Sequence, residues 1–168
     1  MSYCSYARNL PENNVHRLFH DKEHGRMPES DNEIFGRLIL EMNQAGLSWD
    51  CVLKKYDNFR IAYHNFEVQR IANYSEMDIE RILSDKGVIR HRKKIEAAIY
   101  NAKQILALQD EFGSFREWIN AKKGLNLDEW VREFKKRFKF VGKESVNELL
   151  MGLNILPGAH HKECIINI

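Results

Sequence analysis

Apolar residues recur every three or four positions along much of the chain, the spacing at which side chains share one face of an α-helix. The longest such stretch covers 91–108, where Ile95, Ala98, Ile99, Ala102, Ile105 and Leu106 form one stripe. The same spacing predicts a helix over 31–45 that buries Ile34, Phe35, Leu38 and Met42 and stops at Gly46. A further helix is predicted over 49–64, with Val52, Leu53, Tyr56 and Phe59 inward, and shorter ones over 13–21, 68–73, 77–83, 128–137 and 143–153. Start signals reinforce the pattern. Ser30-x-x-Glu33, Ser75-x-x-Asp78 and Ser114-x-x-Glu117 are spaced as capping boxes, in which side-chain oxygens take up free N–H groups of the first turn. Sustained period-two alternation and Asn-Gly or Asp-Gly hairpins are absent from the sequence, and the stretch around Gly124 reads as a loop rather than a boundary. The pattern implies a single all-α domain over residues 1–168.

Composition narrows the class. A chain of 168 residues with 43% hydrophobic content can bury a core without disulfides. Its 26 Lys and Arg are nearly matched by 24 Asp and Glu, so the net charge of +2 says nothing about an anionic partner and only local clusters can. No apolar run approaches the roughly 20 residues that span a bilayer, so no membrane partner is expected. The stretch Met1-Ser2-Tyr3-Cys4-Ser5-Tyr6 lacks the basic-then-apolar order of a signal peptide. Cys4, Cys51 and Cys164 make an odd count, a poor disulfide framework that suits a reducing compartment. Cytoplasmic is the expected location, and the absence of a heptad seam leads us to expect a monomer.

Four features carry candidate chemistry. Cys4 and His20 lie near one end and His160-x-x-x-Cys164 near the other. Two thiolates and two imidazoles are a suitable tetrahedral set for zinc, which would tie two ends that otherwise fray. An H-x-x-x-C spacing alone is common by chance, and His161 could replace His160. Second, Glu41 falls at the edge of the apolar stripe of its helix, followed by Gln44, Ser48 and Trp49. A solvated border glutamate is one reading. A carboxylate leaning into a pocket beside a stacking ring, suited to a planar hydrogen-bonding ligand, is the other. Third, Gly87 sits between two predicted helices and can supply a positive φ, followed by Arg90, His91, Arg92, Lys93 and Lys94 at a helix start. This is either an ordinary turn with a solvated basic face or a phosphate grip on a DNA backbone. Fourth, Lys135-Lys136-Arg137-Phe138-Lys139-Phe140 alternates basic and aromatic residues, as core anchors with a solvated rim or as a second backbone contact.

Taken in order, these stretches resemble the DNA-3-methyladenine glycosylase I (Tag-type) family. The resemblance is carried by Cys4, Phe19-His20-Asp21, Leu40-Glu41, Gln44-Ala45-Gly46-Leu47-Ser48-Trp49, Gly87-x-Ile89-Arg90-His91-Arg92, Phe138-Lys139-Phe140-Val141-Gly142 and His160-x-x-x-Cys164, and it covers nearly the whole chain. It implies a helix-hairpin-helix DNA glycosylase fold with a structural zinc site, on Cys4, His20, His160 and Cys164, joining the N- and C-terminal segments. It implies a bacterial base excision repair enzyme, cytoplasmic and working on the nucleoid, that hydrolyses the N-glycosylic bond of 3-methyladenine in alkylated double-stranded DNA. The base, flipped out of the duplex, would be held by Glu41 as the catalytic carboxylate and by Trp49, with Phe19, Tyr6, Ser48 and His24 around it. Gly87, Arg90, His91, Arg92, Lys94 and Lys136 would contact DNA. Phe19 stands where the family pattern has a tyrosine, Tyr6 and His24 where it has tryptophans, and His16 where it has another aromatic residue. These departures leave open the alternative of a non-catalytic module of the same fold that binds damaged DNA.

Overall fold

The computed structural model describes residues 1–166, and α-helices joined by turns account for the regular structure among them. In chain order they are α1 (Tyr3–Arg8), α2 (Val15–Lys22), α3 (Asp31–Gln44), α4 (Trp49–Leu53), α5 (Tyr56–Ala62), α6 (Val68–Ala72), α7 (Glu76–Leu83), α8 (Arg92–Phe112), α9 (Phe115–Ala121), α10 (Leu127–Arg137) and α11 (Lys143–Gly152).

Helix α3 is the axis of the fold. Every residue from Ile34 to Asn43 is buried, so the helix is covered all round rather than on one stripe. It touches α4, α8, α9, α11 and the turn at His64–Phe66. Gly36 permits the last of these contacts, because a Cβ there would lie 2.4 Å from the Phe66 ring. Phe66 reaches α3 from an unusual turn. His64, Asn65 and Phe66 all have left-handed backbone angles, with φ of 50°, 55° and 59°. Full burial of the Phe66 ring offsets the cost of holding non-glycine residues there.

The predicted helix over 49–64 is two helices. Ser48 caps α4 by accepting the Cys51 N–H at 3.1 Å, but the chain leaves the helical path at Lys55 and restarts as α5. The break keeps Val52 and Leu53 as well as Tyr56 and Phe59 on the core. Helices α1 and α9 lie outside the predicted spans, although α9 starts at the marked cap Ser114, which accepts the Glu117 N–H at 2.9 Å. Helix α8 runs to Phe112, and α3 ends at Gln44, with Gly46 at φ 80° turning the chain away. Ser30 accepts the Glu33 N–H at 3.2 Å, and Asp78 accepts the Ser75 N–H at 3.0 Å, as their spacing implied. Beneath α9 and α10, Phe115, Trp118, Trp130, Phe134 and Phe138 stack edge-on and tilted as a buried aromatic layer.

Candidate active site and metal-ligand cluster

The two ends of the chain meet. Cys4 on α1, His20 on α2, and His160 and Cys164 of the C-terminal segment bring one donor atom each to within 4.8 Å of all the others. Cys164 Sγ lies 3.6 Å from His20 Nε2 and 3.6 Å from His160 Nδ1, and Cys4 Sγ lies 3.7 Å from His160 Nδ1. Metal bonds of about 2.3 Å to sulfur and 2.0–2.1 Å to nitrogen at the tetrahedral angle require sulfur–nitrogen edges of about 3.6 Å. Those three distances match the edges of one tetrahedral site, and the full donor set lies within 4.8 Å. The far nitrogens are also placed for it: His20 Nδ1 bonds Asp21 at 2.7 Å and His160 Nε2 bonds the His24 carbonyl at 2.9 Å. Those partners fix the tautomers that leave the inward nitrogens free to bind metal. His160, not His161, joins the set; His161 offers only its backbone N–H to Cys4 Sγ at 3.4 Å.

Beside this cluster is a cavity of about 460 Å³ whose wall includes Tyr3, Phe19, His24, Glu41, Trp49 and Glu148. Glu41 projects into it from α3. It is 8% exposed, and its Oε2 is buried with no hydrogen-bond partner. Burial pushes its pKa up to about 8, the charge of Glu148 adds to the rise, and Arg37 opposes it. Trp49, the first residue of α4, and Phe19 of α2 meet edge to face at 5.3 Å. His24 stands 5.8 Å from Phe19 and bonds the Ala159 carbonyl at 3.1 Å. Burial first, then the charges of Arg37 and His160, hold the His24 pKa near about 4, so it is uncharged at neutral pH.

Two expected pocket residues stand outside the wall of this cavity. Tyr6 is 41% exposed and lies against Tyr3, with ring centres 6.4 Å apart. Ser48 spends its hydroxyl on the α4 cap and lines an adjoining cleft instead. Tyr3 and Glu148 line the cavity and Arg37 packs against Phe19, although no motif in the sequence carries any of the three. Arg37 lies under the wall, 5% exposed, with its guanidinium carbon 4.9 Å from the Phe19 ring centre. It donates to the carbonyls of Glu23 and Gly152, both at 3.2 Å, and so joins the ends of α2 and α11. His16 is a satisfied buried histidine, bonded through Nε2 to Asp50 at 3.0 Å.

The basic hairpin between α7 and α8 divides into different roles. Gly87 does not take a positive φ, contrary to expectation. It is needed for room, because a Cβ would lie 3.0 Å from both Asn58 and Asp85, while its N–H donates to Asp85 at 2.8 Å. Arg90 is exposed. His91 caps α8 by accepting the Lys94 N–H at 3.3 Å and faces Phe140 edge-on at 6.0 Å. Arg92 is held by Glu76 at 2.7 Å and by Glu80. Lys94 turns inward rather than out: it is 5% exposed and donates to the carbonyls of Asn43 at 2.9 Å and Ala45 at 2.8 Å. It closes the end of the helix that carries Glu41, and is not available to a phosphate. Lys136 is exposed and paired with Glu133 at 2.9 Å.

An all-helical domain that aims an unpartnered carboxyl group and two aromatic faces into one cavity is built to sequester a flat ligand. Residues 10–147 match the methyladenine glycosylase family model, and the chain belongs to that family. It is 41% identical over 109 residues to DNA-3-methyladenine glycosylase of Haemophilus influenzae, covering 64% of this chain and 58% of that one. It is 38% identical over 120 residues to DNA-3-methyladenine glycosylase 1 of Escherichia coli, covering 71% of this chain and 62% of that one. The aligned stretches thus span less than two thirds of either relative. Among solved structures, a tyrosine-to-phenylalanine variant of 3-methyladenine DNA glycosylase I bound to 3-methyladenine superposes with a TM-score of 0.84 at 28% identity, over 98% of this chain and 97% of that one.

Proposed function

We propose that this chain is a monofunctional DNA glycosylase that releases 3-methyladenine from alkylated double-stranded DNA. The observation that carries the reading is Glu41 Oε2, buried at the cavity wall without a partner. A native protein keeps such an atom unsatisfied only at a cost of about 1–3 kcal/mol, and a ligand that supplies the missing donor recovers it. The exocyclic amine of an adenine is a donor of the right kind. Methylation at ring nitrogen 3 gives the base a positive charge, which favours the ionised form of Glu41 over the protonated one. The base therefore displaces the proton that burial keeps on the carboxyl group in the empty site.

The chemistry asks little more of the chain. The glycosylic bond breaks heterolytically, its electron pair returns to the purine, and the base leaves neutral. The positive charge passes to the sugar as an oxocarbenium-like centre, and water adds to it and loses a proton to solvent, leaving an abasic site. A carboxylate that gripped the cationic base too tightly would oppose this electron flow. Glu41 therefore selects and holds the base, Trp49 and Phe19 supply apolar faces, and uncharged His24 adds no repulsion. Exclusion of bulk water by the buried wall strengthens each polar contact inside.

A zinc ion on Cys4, His20, His160 and Cys164 is the proposed cofactor; when bound it supplies structural cross-linking of the ends and no reaction chemistry. Tyr3 and Ala159 both line the cavity and neighbour ligands in sequence, so the cluster fixes part of its wall. The α7–hairpin–α8 unit is read as a helix-hairpin-helix in which exposed Arg90 and the α8 N-terminus meet the DNA backbone. We place the protein in the bacterial cytoplasm as a monomer. The test is chromatography of free bases released from methylated duplex DNA. Release of 3-methyladenine is expected. Salt-dependent DNA binding by zinc-loaded protein without any base release would instead favour the non-catalytic module.

A further inference from the structure

The cavity contains a second acidic residue. Glu148 of α11 lines it together with Glu41 and Trp49, and also lines the adjoining cleft with Gln44, Ser48 and Glu144. Glu41 is buried in the wall, whereas Glu148 stands at the rim, exposed to solvent. Neither forms an ion pair among the described residues. The nearby cation, Arg37, is committed to the Glu23 and Gly152 carbonyls, with its guanidinium carbon 4.9 Å from the Phe19 ring centre. Facing the pair are Tyr3 of α1, His24 after α2 and His161 of the C-terminal segment, with Glu144 one turn earlier on α11. The cavity is thus bordered by two acids, with no Lys or Arg among the described residues that line it.

We propose that Glu148 is a specificity-determining residue, whose carboxylate makes the cavity select a purine with a fixed positive charge over a neutral purine of the same shape. The proposal rests on the glycosylase reading of the site. Burial first, and then the charge of Glu148, favour the protonated form of Glu41. A cationic base neutralises that charge. A neutral adenine gains nothing from Glu148 and must still meet a protonated Glu41. The division of labour follows: Glu41 bonds the edge of the base, and Glu148 reads its charge from the rim.

The test uses the zinc-loaded full chain and two small probes, 3,9-dimethyladeninium, whose charge does not titrate, and neutral 9-methyladenine. Binding is followed by calorimetry in wild type, Glu148→Gln and, as a control on the same helix, Glu144→Gln. Because Glu148 is exposed to solvent, its charge is worth about threefold to fivefold in affinity rather than more. Glu148→Gln is expected to weaken the cation about threefold to fivefold and leave the neutral purine unchanged, with Glu144→Gln like wild type for both. Proton release on cation binding should also move to lower pH in Glu148→Gln, a readout that mere loss of packing would not shift. Equal losses for both probes, or none, would overturn the role of Glu148. Base release from methylated DNA, measured on the same preparations, separates the two claims. Release with unchanged charge preference in Glu148→Gln sinks this proposal alone, and wild type with neither release nor cation binding sinks the reading beneath it.

Discussion

Replacing Glu41 by glutamine should make the stability of the folded chain less dependent on pH, while weakening its hold on a cationic base. The pKa of Glu41 rises from the ordinary 4.5 to about 8, chiefly because the carboxylate is desolvated. An acid whose folded pKa lies above its unfolded value favours folding while it is protonated in both states. That contribution is complete below pH 4.5 and drains away as pH rises towards 8, because the unfolded chain ionises freely and the folded one does not. Linkage puts the loss at about 3 kcal/mol between pH 4.5 and pH 7. Glutamine does not titrate. Its buried amide brings its own desolvation cost, but that cost is the same at every pH. The Cys/His cluster titrates in both proteins and cancels from the difference. Urea denaturation at pH 5, 6, 7 and 8 should therefore show Glu41→Gln gaining on wild type by about 3 kcal/mol across the series. Stability curves that run parallel in pH would refute the desolvated carboxyl group, and with it the proton displaced by the base.

Other consequences are equally open to measurement. Purified protein should carry about one zinc per chain, and Cys164→Ala should lose the metal and expose the C-terminal segment to protease; a metal-free chain that is fully folded after zinc-replete preparation would remove the site. Lys94→Ala should cost about 1–3 kcal/mol in denaturation, since two carbonyls at the end of α3 lose their donor. It should leave the salt dependence of DNA binding unchanged. Arg90→Ala should do the reverse, lowering the salt slope by about one with the fold intact. Arg37→Ala should cost about 2–4 kcal/mol by stranding the Glu23 and Gly152 carbonyls and opening space under Phe19; a variant as stable as wild type would show that water takes its place.

The parts of the fold that were legible are those where local pattern and burial agree. Helices α3 and α8 form where the apolar repeat places them. The predicted inward residues of α3 are buried, though so is the rest of that helix from Ile34 to Asn43. Of the α8 stripe, Ile95, Ala98, Ala102 and Ile105 are buried, while Ile99 and Leu106 are only half-buried. The break between α4 and α5 was hidden because Val52, Leu53, Tyr56 and Phe59 keep helical register straight across it. The left-handed turn at His64–Phe66 was hidden for another reason: it is held by the space at Gly36, which is distant in sequence. Helix α1 has two buried residues, too few for periodicity to register. In the site, Glu41 and Trp49 were legible because one short block of sequence carries both. Arg37 lies four residues before Glu41, but its task depends on carbonyls of Glu23 and Gly152 that only the fold brings near. Glu148 comes from α11, and no local signal ties it to α3. Lys94 could have been placed correctly, since it shares a helix face with Ala97, Ala98 and Asn101, all buried. The adjacent basic residues Arg90, Arg92 and Lys93 mask that periodicity.

The most direct measurement is the single-turnover rate of 3-methyladenine release from methylated duplex DNA at neutral pH, for wild type and Glu41→Gln in parallel. If Glu41 selects and holds the cationic base, wild type releases it and Glu41→Gln does so at least tenfold more slowly, about 1.4 kcal/mol in transition-state terms. Equal rates in the two proteins would take Glu41 out of the mechanism, and no release from folded, zinc-loaded wild type would contradict the enzyme itself.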